Sequence, residues 1–197
     1  MINKKADAKL NHVAQCYQAA LGKYFHSVDA RFLDKRLRFR GLRFLEELRL
    51  RYKIENRFFA ISYDLMYEAR VCAADPLRRP RSACRLIAKL KGGAGITGAE
   101  FILRDQGAAD AFTAKALSRL NNPLIVDRVA SMDLTDVSAA YDSESAVWVF
   151  RCRSIIGSTT WNLIPPITQL IKLREAECVR MIELFELAFD ALLREDA

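Results

Sequence analysis

The chain has 197 residues, 51% hydrophobic and 28% charged, with 31 Lys+Arg against 24 Asp+Glu and a formal charge of +7. Disordered chains are poorer in apolar residues and more lopsided in charge, and 8 Gly with 5 Pro exclude collagen-like and low-complexity chains. At this length one domain, residues 1–197, buries about 70% of its unfolded surface and needs neither metal nor disulfide to hold a core.

The first 25 residues predict no secretory leader. Asp7, Lys9, Asn11, His12, Gln15 and Gln18 interrupt any apolar region. Residues 4–21 read instead as a helix. Leu10, Val13, Ala14, Tyr17, Ala20 and Leu21 fall at three- and four-residue spacing, and Gly22 can end it. Arg36 to Arg40 has the period of a short strand. Leu48, Leu50, Tyr52 and Ile54 alternate with Arg49, Arg51, Lys53 and Glu55, which predicts a half-buried strand with a cationic outer face. Asn56-Arg57 supplies a turn, and the alternation from Phe59 to Glu68 completes a hairpin.

A Pro/Arg loop follows at 75–83. Cys84–Lys91 and Thr97–Arg104 read as strands around a Gly-rich segment, and Gly107–Leu120 as a helix stopped by Asn121-Asn122-Pro123. Leu124–Ala130 reads as a strand. Leu134–Tyr141 and Ala146–Arg153 pair as a second hairpin. A long helix runs from about Gln169 to Leu193, its stripe Cys178, Ile182, Phe185, Phe189 and Leu192 facing a sheet. Hairpins dominate and no regular βαβ alternation appears. The pattern predicts an α+β fold: an antiparallel sheet of two or more hairpins packed against an N-terminal, a middle and a long C-terminal helix.

Charge divides the chain. Residues 1–104 hold 22 basic and 10 acidic side chains, and residues 105–197 hold 9 and 14. The basic excess concentrates in 31–57 and 78–91. Three uses compete for it. A nucleic acid would lie along Arg49, Arg51, Lys53 and the loop arginines Arg78, Arg79 and Arg81. An anionic membrane surface would meet the same basic face. Or the charges only solvate a surface, or meet an acidic partner within the chain, in a second copy, or on another protein.

Motifs for chemistry are sparse. Gly93, Gly95 and Gly98 match GxGxxG, but a dinucleotide fingerprint needs a full helix next, and an apolar run follows instead. The bland reading is a hairpin loop; the sharper one is a small-ligand or phosphate loop. His12 and His26 are the two histidines. Ser158 lacks the second glycine of a nucleophile elbow. Cys152 lies between Arg151 and Arg153, whose side chains point to the other face if the segment is a strand. The carboxylate pairs Asp133/Asp136, Asp142/Glu144, Glu175/Glu177 and Glu183/Glu186 name no reaction, and the last reads as a solvated helix face. No Cys/His cluster suggests a metal.

The uncharged segment 155–171 is too polar and broken to span a bilayer. It reads as a neutral ligand or partner loop carrying Ser158, Thr160, Trp161 and Asn162, or as a last strand and crossover. Five unpaired cysteines fit the cytoplasm. The expectation is a non-enzymatic cytoplasmic binding or interaction protein with no cofactor. The alternatives are nucleic-acid binding through the basic face, and nucleotide binding through Gly93–Gly98.

Overall fold

The computed structural model describes residues 2–58, 60–73, 75, 79–92, 96–104, 110–162, 168–170 and 172–194. Among them are four helices and nine strands. The first helix, α1 (Ile2–Ala20), buries Ala6, Leu10, Val13, Ala14 and Tyr17 on one face, as its spacing predicts. A strand that the sequence does not announce follows, β1 (Phe25–Arg31). Its neighbour β2 (Asp34–Phe39) pairs with it across a turn in which Leu33 takes φ 57°.

The first expected hairpin forms as β3 (Glu47–Arg57) and β4 (Ala60–Cys72). Its turn falls at Phe58 rather than Asn56-Arg57. Next come β5 (Cys84–Lys91) and β6 (Gly98–Leu103), an antiparallel pair. Helix α2 (Ala111–Leu120) starts at an Asp110 cap whose carboxylate accepts from the Thr113 N–H.

Residues 124–130, expected as a strand, are helical: α3 (Pro123–Ala130). Asn121-Asn122-Pro123 does stop α2, but it also starts α3. The Asn122 carboxamide accepts from Leu124 N–H, Pro123 needs no N–H partner in the first turn, and Ile125 and Val129 fall four apart and are buried.

The second hairpin is β7 (Leu134–Asp142) with β8 (Val147–Asn162). The latter extends well past the expected Arg153. Short β9 (Thr168–Leu170) pairs with its end. The last helix, α4 (Glu175–Leu193), therefore starts six residues later than the pattern suggests. Its predicted stripe is buried throughout.

The strands make one antiparallel sheet in the order β1-β2-β3-β4-β8-β7-β5-β6, with β9 on β8. The α+β expectation holds. Leu37, Leu48, Leu50, Leu65, Tyr67, Val137, Phe150 and Phe101 form one core cluster with the buried faces of all four helices. Phe150 stands 5.2 Å from Phe185 and 6.4 Å from Phe189 on α4, both edge-to-face. The helices thus cover one face of the sheet. Among the described residues no element covers the other.

Candidate functional site

Strand alternation places every second residue of the sheet on that uncovered face. Antiparallel register then aligns one row across eight strands: Asp29, Arg36, Arg49, Glu68, Arg151, Ser138, Ile87 and Ile102. Arg36 and Arg49 stand directly opposite, and a like pair there destabilises by a few tenths to about 1 kcal/mol. Diagonal carboxylates offset this. Asp34 takes the Arg49 guanidinium as a fork, with Nε–H 2.9 and 3.0 Å from its two oxygens and Nη2 on Oδ2. Glu47 lies 3.8 Å from Arg36 and 3.5 Å from Arg38. The Arg49 contact holds the Asp34 carboxyl below the usual carboxylate range.

Glu68 sits at the middle of the row and is only 5% exposed. One of its oxygens accepts from Arg70 at 3.1 Å and the other from Arg151 at 2.8 Å. Burial pushes its pKa up, and the Arg151 and Arg70 guanidiniums overcome that and hold it below the usual value. Beside it lies a cleft of about 260 Å³ lined by Arg36, Glu46, Glu47, Arg49, Glu68 and Arg70. Arg36 Nε is occluded there with no hydrogen-bond partner. A parallel row carries Arg51, Met66, Arg153 and Asp136. Arg153 reaches Asp64 and Glu55, each at 3.5 Å, and Lys53 reaches Glu55 at 2.7 Å.

The residues expected as one basic patch do not come together. Arg49, Arg51 and Lys53 share the uncovered face. Arg81 donates its backbone N–H to the α2 cap Asp110, and Arg79 lies against the Tyr141 hydroxyl, on the helix side. Three strands separate β3 from β5, about 19 Å at the usual strand spacing. Arg78 lies outside the described residues.

The neutral loop is not a loop at Ser158, Thr160, Trp161 and Asn162, which all lie on β8. Between the Leu65–Ser154 and Tyr63–Thr159 pairs, residues 155–158 of β8 face the single Asp64. That is a long bulge. Gly157 takes φ +82° in it, and Tyr52 donates to its carbonyl at 2.8 Å. The Ser158 hydroxyl accepts from Leu65 N–H at 2.8 Å and donates to the Ser154 carbonyl at 2.6 Å. It closes the bulge and is not placed as a nucleophile. Thr160 pairs with Ser62, and Asn162 with Ala60. Lys5 and Lys9 of α1 lie 5.0 and 5.5 Å from the Trp161 ring.

Gly93 and Gly95 lie outside the described residues. Gly98 opens β6, and Lys91 pairs with it across the connection. A strand therefore follows the glycines where a dinucleotide site needs a helix N-terminus. Cys152 is fully buried on the helix side, away from Arg151 and Arg153, and burial pushes its thiol pKa well up. Glu186, expected as a solvated carboxylate, accepts the backbone N–H groups of Arg43, Phe44 and Leu45 at 3.1, 3.0 and 2.7 Å. Among the described residues no group of three or more His, Cys, Asp or Glu is arranged for a metal, and no helix is long and apolar enough to cross a membrane.

A family model described as "Protein of unknown function (DUF3156)" matches residues 19–192, so the chain belongs to that family. The match spans all nine strands and α2, α3 and nearly all of α4. No curated protein and no solved structure matches the chain.

Proposed function

We propose that the chain is a non-enzymatic cytoplasmic binding protein that takes a nucleic acid on the uncovered face of its sheet. One observation carries this reading: the cross-strand row in which Arg49 and Arg151 flank Glu68, with Arg36 next beyond Arg49, beside an open cleft. Each carboxylate engages part of a guanidinium. The side chains of Arg36, Arg49 and Arg151 stay partly exposed, at 34%, 28% and 37%, so phosphate oxygens can reach guanidinium N–H groups that the carboxylates do not engage. Holding arginines in place before binding lowers the ordering cost of binding.

The non-enzymatic part rests on how the reactive groups are used. Ser158 is occupied within the bulge, and the Cys152 thiol is buried and hard to ionise. Five free cysteines support a reducing compartment. Nucleotide binding through Gly93–Gly98 has less support, because the segment joins two antiparallel strands.

Fluorescence anisotropy of a short single-stranded RNA and a DNA duplex tests this. Binding is expected at low salt, with a steep loss toward physiological salt. Replacing Arg36 and Arg70 together by Gln is expected to weaken it about tenfold or more, with an unchanged melting profile as control. No binding at low salt, or binding indifferent to both arginines, overturns the reading.

A further inference from the structure

The β3–β4 hairpin runs past the helix layer. Tyr63 donates to Asn3, in the first turn of α1, at 2.6 Å, so the helix cover ends near this level of the sheet. Tyr52 lies beneath the cover and is 7% exposed. Ile54, on the same face two residues nearer the tip, is 41% exposed, and Phe58 at the turn is 89% exposed. Phe58 thus presents a large apolar side chain to solvent at the hairpin tip, with Ile54 partly open beside it.

Cations surround the same end. Lys4 and Lys5 are exposed on the first turn of α1, and Lys5 lies over Trp161, whose partner in β4 is Ile61. Lys53 stands on the other side of the hairpin. The nearby carboxylates are already engaged, Glu55 by Lys53 and Arg153, and Asp64 by Arg153. The end is therefore an apolar tip with a net cationic collar.

We propose that this end of the sheet docks on an anionic lipid surface. Phe58 and Ile54 enter the interfacial layer, and Lys4 and Lys5 meet the lipid phosphates. An aromatic tip alone holds a bilayer weakly, and cations alone bind it in a salt-dependent way. The two together form the two-signal anchor that stable peripheral binding requires. A protein partner would call for a broader apolar patch with a mixed polar rim. This site lies at the tip of the hairpin and shares no residue with the cleft beside Glu68, so it stands without the nucleic-acid reading.

The test is cosedimentation of the full chain with vesicles of phosphatidylcholine, alone or with phosphatidylserine. Sedimentation with the mixed vesicles, and little with phosphatidylcholine alone, is expected. Phe58→Ser should weaken it about tenfold or more, because an exposed Phe is worth that much on burial. Joint Lys4→Glu and Lys5→Glu should do the same, whereas the Arg36→Gln/Arg70→Gln variant should bind as before. Phe58→Trp supplies a second readout, an emission blue shift on adding the mixed vesicles. Failure to sediment at low salt, an unshifted Trp, or binding lost only in the Arg36/Arg70 variant overturns the proposal.

Discussion

Gly157 occupies a position that no other residue can fill without strain. Its φ of +82° lies in the left-handed region, and a Cβ there would meet Leu65 Cδ2 at 2.5 Å. Gly157→Ala combines a left-handed backbone cost of about 1–2 kcal/mol with an overpacking cost of about 1–3. The expected loss is about 3 kcal/mol, a fall in Tm of roughly 6–12 °C for a chain of this size. Gly98→Ala is the control. Nothing lies within 4 Å of a Cβ there, so thermal melts should place it near wild type. Equal Tm values for the two variants would mean the bulge does not need its glycine. The sequence offers Gly157 no distinguishing mark, since its constraint comes from Leu65 on another strand.

At the scale of the element, clean periodicity was legible and interrupted periodicity was not. Alternation places β3 and β4, and the 4-3-4-3 stripe places α4, because each buries one face against a single core. The bulge at 155–158 breaks the alternation of β8, which is why its second half resembles an uncharged loop. The β-branched Ile125 and Val126 after Leu124 hide α3, whose real signal is the Asn122-Pro123 start. Asn122→Ala should therefore cost about 1 kcal/mol through lost capping, and Asn122→Asp should retain most of it. A denaturant series decides this, and equal stability of the Ala variant would show that tertiary packing alone holds α3. The ion pairs of the uncovered face lay beyond sequence reading for a similar reason. Asp34 is 15 residues from Arg49, and Glu68 is 83 from Arg151; only the strand order makes them neighbours.

Across the whole molecule, the basic first part is neutralised partly by the second. Asp190 of α4 lies 2.9 Å from Arg43, and Glu186 clamps the adjoining backbone. The join of α1, most of which precedes the family match, includes a buried ion pair. Its Asp7 accepts from Leu33 N–H at 2.7 Å and from Lys35 Nζ at 2.8 Å, and Lys35 is 2% exposed. Burial pushes the Asp7 pKa up, but the Lys35 ammonium, the Leu33 N–H and Asn11 together hold it below the ordinary value. A carboxyl whose folded pKa is depressed stabilises fully above its unfolded value, and that stabilisation is lost as pH falls through the folded one. Below the ordinary carboxylate range Asp7 therefore protonates and leaves Lys35 buried with the Arg31 carbonyl. Asp7→Asn makes the same change at neutral pH. It keeps an acceptor for Leu33 and removes only the charge, so a cost of about 3 kcal/mol is expected. The variant should also lose Asp7's share of the acid sensitivity while Asp34 and Glu68 keep theirs. Hydrogen exchange of α1 amides against pH reads this directly: faster exchange in the variant at neutral pH, and in wild type only in acid. Protection of α1 that is equal in both proteins at neutral pH would show that the apolar face of the helix, not the buried ion pair, holds it to the sheet.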